Sequence, residues 1–148
     1  MVADPETRRR FADMIRIEGM NGGFIRTQDE RRLLQEGMAR FHLTLDEANG
    51  TLLATANEHK IVLQRSADDG TREFLNMQAN RNGQRRLSRA DFDQAVEMYR
   101  TKTRGRVSTE EAKSRVKALT VEEGITAKRS GWLIRSKRWF NSIPEQMA

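Results

Sequence analysis

The chain carries few side chains suited to catalysis. The chain has two histidines, His42 and His59. They stand seventeen positions apart, so they do not form the one-turn ligand pair of a helical zinc site. His42, between Phe41 and Leu43, reads as a half-buried turn residue. Cysteine is absent, which removes thiolate nucleophiles, thiolate metal sites and any disulfide framework. No nucleophile elbow or dinucleotide fingerprint occurs, and Gly22-Gly23 precedes a helix without the strand or lysine of a phosphate loop. Carboxylates are plentiful but stand mostly at helix starts, where capping explains them. Glu18 falls on the apolar face of the first helix and is expected to meet an arginine rather than to act as a raised-pKa acid. Catalytic, metal and cofactor-binding residues are therefore read as none, and no enzyme is expected.

Binding chemistry is better represented. Both tryptophans lie in Lys128-Arg129-Ser130-Gly131-Trp132-Leu133-Ile134-Arg135-Ser136-Lys137-Arg138-Trp139-Phe140. On a helix, Trp132, Ser136, Trp139 and Ile143 share one stripe, with Leu133 and Phe140 beside it and Lys137 and Arg138 pointing away. That stripe can close the core, or lie on an anionic membrane. It can also pack inward while Lys128, Arg129, Arg135, Lys137 and Arg138 meet phosphates. Arg81, Arg85, Arg86 and Arg89 surround one helix start; Arg100, Lys102, Arg104 and Arg106 surround a helix end and the next start. These thirteen cations, with Trp132 and Trp139, form the candidate partner-binding set. Antiparallel helices could hold the two arginine turns far apart.

Helices account for nearly all the patterning that must position these groups. Asp4-Pro5-Glu6 supplies an N-cap, a first-turn proline and an acid at the positive end of the dipole. Phe11, Met14, Ile15 and Glu18 follow at helical spacing until Gly19 and Gly22-Gly23. Thr27 with Glu30 reads as a capping box opening a helix that turns Leu34, Met38 and Phe41 inward. Thr44 with Glu47 opens a long helix carrying Leu45, Leu52, Ala56 and Leu63. Its end has an alternative: Ile61-Val62-Leu63 could be a strand, because Asp69-Gly70 suits a hairpin before Phe74-Leu75. The favoured reading is a helix from about Ala67 to Asn80 presenting Phe74 and Met77. Ser88 opens a helix with Phe92, Val96 and Tyr99 inward, stapled by Leu87 against Phe92. Ser108 opens one with Ala112, Val116 and Leu119, and a last helix runs from Trp132 to about Ile143, before Pro144.

Four boundaries share one grammar, an aliphatic residue, Ser or Thr, then an acid. They are Ile25-Arg26-Thr27 with Glu30, Leu43-Thr44 with Glu47, Leu87-Ser88 with Asp91, and Val107-Ser108 with Glu111. The rhythm suggests helix-turn-helix units, with spacing too uneven for a regular repeat array.

Phe11 to about Leu53 resembles the TerB-like helical domain associated with bacterial tellurite resistance and stress proteins. The resemblance lies in the helix ending at Gly22-Gly23, then Phe24-Ile25-Arg26-Thr27, Glu30 and Leu34, then Leu43-Thr44-Leu45-Asp46-Glu47-Ala48. It implies an all-helical interaction or membrane-associated scaffold. The family's acidic position before the turn glycine looks to be Asn21 or Gly22, which counts against a metal role. The later loops also look like degenerate EF-hands. Aligned on Leu87, Asn80, Asn82 and Gln84 take the ligand positions, Arg85 stands where glycine belongs and Asp91 ends the loop, too little charge for calcium. Around Val107 the same positions hold Arg100, Lys102 and Arg104.

Composition bounds the rest. The 148 residues have 36% apolar and 32% charged side chains and a net charge of +6. This suits one modest helical domain with a heavily solvated surface. Residues 1–80 hold 11 basic and 13 acidic groups, and residues 81–148 hold 16 and 8. No apolar run spans a bilayer and the first residues lack a secretory signal's apolar stretch, so a cytoplasmic protein is expected. The expected fold is all-α, a compact bundle of about six or seven helices built from helix-loop-helix pairs. It divides into a near-neutral part (1–65), a basic helical part (66–126) and a basic Trp-containing helix (127–148). The expected function is a noncatalytic interaction module or accessory subunit binding an acidic protein surface. Nucleic acid of low sequence specificity and an anionic membrane surface are the alternatives. Oligomeric state is not legible.

Overall fold

The computed structural model describes residues 3–81, 83–131 and 135–145. Seven helices and four two-residue strands are formed among them. The chain divides into two compact units, Met1–Ser66 and Ala67–Ala148.

The first unit contains α1 (Pro5–Met20), β1 (Phe24–Ile25), α2 (Thr27–Ala39), α3 (Leu45–Glu58) and β2 (Val62–Leu63). The strands pair in parallel, Phe24 with Val62 and Ile25 with Leu63. Phe11, Ile15, Ile25, Leu33, Leu52 and Leu63 form its core. The α2 backbone approaches closely enough that a methyl at Gly37 would strike the Phe11 ring and press on Ala48. Asp4 caps α1 with Pro5 at its first position, and Thr44 with Glu47 forms the full capping box of α3.

The second unit repeats that order. α4 (Gln64–Asn80) contributes all but its first three residues, followed by β3 (Arg86–Leu87), α5 (Arg89–Lys102), α6 (Thr109–Glu122), β4 (Thr126–Ala127) and the short α7 (Arg138–Asn141). β3 and β4 are again parallel, Arg86 with Thr126 and Leu87 with Ala127. Hydrogen bonds recur position by position. The Val62 N–H donates to the Gly23 carbonyl at 2.8 Å, and Thr126 donates to Arg85 at 3.0 Å. Ile61 donates to Ala56 at 2.8 Å, and Ile125 to Thr120 at 3.1 Å. Left-handed residues recur too: His42 and Arg104 both have φ 56°, and Lys60 at 55° corresponds to Gly124 at 68°. The boundary grammar therefore alternates between two kinds of turn within one longer repeat, which is why its spacing looks uneven in sequence.

Several expected details are corrected. Thr27 does not cap α2: the cap position is Arg26, without a side-chain bond, and the Thr27 N–H donates instead to Gln64 Oε1 at 2.9 Å. Glu30, freed from a capping box, is buried against Arg65 at 2.7 Å. The inward face of α2 is Glu30, Leu33 and Gly37; Met38 is exposed and Leu34 half-buried. α3 stops at Glu58, leaving Leu63 in β2, and Leu45 is exposed. Residues 61–75 form neither a hairpin nor a helix throughout, since β2 pairs with β1 and α4 begins at once. α4 buries Thr71, Leu75 and Ala79, while Met77 is exposed and Phe74 half-buried. The long C-terminal helix is not formed. Residues 132–134 lie outside the described residues, Ser136 joins a β-bridge with Ser130, and α7 has four residues. Residues 135–137 are therefore not helical, and no described helix is long and apolar enough to cross a membrane.

Candidate functional site

The parallel pair β3–β4 fixes the base of the site. Leu87 and Ala127 point into the core, 0% and 3% exposed, so strand alternation turns Arg86 outward. The Lys128 N–H donates to the Leu87 carbonyl at 2.8 Å, extending the pairing by one residue. The chain then returns on itself. Ser130 and Ser136 exchange backbone hydrogen bonds of 2.8 and 3.0 Å in an antiparallel bridge, whose register sets Arg129 opposite Lys137.

The result is a cleft of about 470 Å³ lined by Arg86, Ala127, Lys128, Arg129, Arg135 and Lys137. Among the described lining residues, five cations surround one methyl and none is a carboxylate. None of the five forms an ion pair with a described acid.

Trp139 bolts the returning segment in place. Its indole N–H donates to the Lys128 carbonyl at 3.0 Å. Its ring meets Phe92 edge-on at 5.4 Å and Phe140 at 5.5 Å, and those two phenylalanines lie 5.9 Å apart. Lys117 places its ammonium 5.1 Å from the Phe140 ring and donates to the Ile143 carbonyl at 2.7 Å. Trp139 is half-buried in this aromatic cluster, and Trp132 lies outside the described residues. Arg89 and Arg138 reach a neighbouring cleft of about 450 Å³, shared with Lys113, Asp93 and Trp139.

The other candidate cations are placed elsewhere. Arg85 donates to Asn76 at 2.8 Å, to Asn80 at 2.9 Å and to the Glu123 carbonyl, so its guanidinium ties α4 to the end of α6. Arg81, in the turn just after α4, donates to Gln78 in the last turn of that helix. Arg100 donates to the Val107 carbonyl at 3.4 Å, and the Lys102 stem lies against Gly70. Arg104 and Arg106 are exposed and have contacts of their own. That second arginine turn sits at the far end of fourteen-residue α5 from Arg89, about 20 Å away at the helical rise.

Glu18 meets Arg32 at 2.7 Å. Exposed His42 borders a separate cleft of about 540 Å³ in the first unit, where Arg10 and Arg40 are mixed with Asp13 and Glu18. Among the described residues no group of three His, Asp or Glu is placed to hold a metal. Sequence reasoning missed Lys113, and also the buried pair Asp68–Arg115. The pair's signal was present: Asp68 precedes Thr71 on the inner face of α4, and Arg115 lies beside Val116 on the inner face of α6. No family model, curated protein or solved structure matches this chain.

Proposed function

We propose that this chain is a noncatalytic, cytoplasmic interaction module or accessory subunit that binds an acidic surface of a partner protein through its basic second unit. The observation that carries this reading is the five-cation cleft. Two like charges about 8 Å apart repel by roughly 0.5 kcal/mol even in water, and a cleft with low-dielectric walls focuses that field. An anionic partner group relieves the repulsion and is steered toward the cleft. Reversing charge at Arg86→Glu and Arg135→Glu together should abolish crosslinking of a stoichiometric partner, while Lys102→Glu at the far turn leaves it intact. Equal capture by both variants would sink the proposal.

A second reading, nucleic-acid binding without sequence specificity, is favoured by the neighbouring cleft carrying Arg89, Lys113 and Arg138. It requires affinity to fall by orders of magnitude between about 50 and 200 mM salt if six or more phosphates are contacted. A flat salt response removes it.

A further inference from the structure

Taking the acidic-partner reading as its basis, we infer that the cleft formed by Arg86, Lys128, Arg129, Arg135 and Lys137 recognises a phosphorylated side chain on that partner. The two units supply an internal comparison. The first has the same parallel strand frame, but Phe24, Leu63 and Gln64 stand where the second has Arg86, Ala127 and Lys128. Arg65, following Gln64, pairs with Glu30 at 2.7 Å and bonds Asn49 at 2.8 Å, whereas Arg129, following Lys128, lines the open cleft. The frame therefore forms without clustered cations, and their presence in the second unit is not a requirement of folding.

The arrangement suits phosphate better than carboxylate. A carboxylate brings one charge and two coplanar oxygens, and neighbouring carboxylates stand on separate stems. A phosphomonoester brings about −1.5 to −2 charges and three acceptor oxygens at one tetrahedral centre. Arg86 arrives from β3, Arg129 from before the Ser130–Ser136 bridge and Arg135 from within the returning segment. Three planar donor forks from separate stretches of chain can each engage a different edge of a tetrahedral acceptor. Lys128 and Lys137 add point charge. The strand pairing, the bridge and the Trp139–Lys128 bond hold the backbone carrying these side chains, so the cations are gathered before the ligand arrives. Among the described residues no aromatic ring lines the cleft, and Trp139 is committed to Phe92 and Phe140, so none of the described rings offers a nucleobase a stacking surface here.

The test titrates the full chain with two short acidic peptides, identical except for phosphoserine or glutamate at the centre. The phosphoserine peptide should bind about tenfold tighter, the worth of one added charge-assisted hydrogen bond, and inorganic phosphate should compete with it. Arg86→Lys with Arg135→Lys keeps the charge but removes two forks, and should erase most of that preference. Both pairs of substitutions are at exposed positions, and circular dichroism checks that the helices are retained. Equal affinity for both peptides, lost on Arg86→Glu with Arg135→Glu, overturns the phosphate inference and leaves the acidic-partner reading standing. Failure of both peptides to bind at millimolar concentration overturns both. Tighter binding of an oligothymidylate than of the phosphopeptide, with a steep salt slope, replaces both by the nucleic-acid reading.

Discussion

Asp68 and Arg115 are 4% and 7% exposed and joined by hydrogen bonds of 2.7 and 3.2 Å. Burial alone would lower the Arg115 pKa, but the hydrogen bond and charge of Asp68 raise it above its ordinary value. Asp68→Ala would leave a buried guanidinium without its partner and should cost about 3–5 kcal/mol in urea unfolding. Asp68→Leu combined with Arg115→Met should recover most of that loss. A single-variant cost under about 1 kcal/mol would show that the pair is dispensable. Glu47 accepts hydrogen bonds from the Ala3 and Thr44 backbones and from Arg8, which lower its pKa from 4.5 to about 2. A lowered acid stabilises the fold above its unfolded value, and that contribution is lost as pH falls from 4.5 toward about 2. Glu47→Gln should flatten the stability profile in that window; an unchanged slope would contradict the assignment. Glu30 acts in the opposite sense. Burial raises its pKa against the lowering charges of Arg65 and Arg31, so its contribution is full at low pH and declines as pH rises through the folded value. The arginine partner of Glu18 was legible from its place on an apolar face. The role of Glu30 was not, because Thr27 and Glu30 have capping-box spacing and the competing donor and acceptor, Arg65 and Gln64, lie far along the chain.

At the scale of elements, polar chemistry at helix starts was the most readable signal. Ser88 and Ser108 accept from Asp91 and Glu111 backbone N–H groups at 3.1 Å, and Thr44 does the same for Glu47. Ser88→Ala should cost about 1 kcal/mol, whereas Thr27→Ala, which removes no cap bond, should cost only a few tenths. Equal losses in thermal unfolding would mean that Thr27 caps α2 after all. Helix faces were harder to read because close packing favours small residues that carry little hydrophobic signal. Phe74 and Met77 set the apparent phase of α4, yet Thr71, Leu75 and Ala79 are buried; in α1 the buried row ends at Gly19, where a methyl would collide with Ile61. Two-residue strands are too short to show alternation, so of the parallel pairs that hold each unit's turns together only β2 left a trace in sequence, as the strand alternative at Ile61-Val62-Leu63. The C-terminal stripe misled for another reason. Helical spacing puts Trp139 in line with Ser136, but the Ser130–Ser136 bridge takes the backbone bonds that helix would need, and the aromatic cluster forms from a single turn.

For the molecule as a whole, the net charge of +6 belongs to one unit. The first carries ten basic and ten acidic residues, and the second 17 and 11. The sequence located this imbalance but not its focus, since Arg86 joins Lys128 to Lys137 through strand pairing while Arg100 to Arg106 occupy the opposite end of α5. Whether this cleft binds an anionic group on a partner is read from one measurement. It is the affinity of the full chain for the phosphoserine peptide, compared between Arg86→Glu with Arg135→Glu and the single variant Lys102→Glu. The cleft pair should lose at least about tenfold, equivalent to about 1.4 kcal/mol, with little change for Lys102→Glu. Similar losses in the two variants would mean that diffuse positive charge, not the cleft, does the binding.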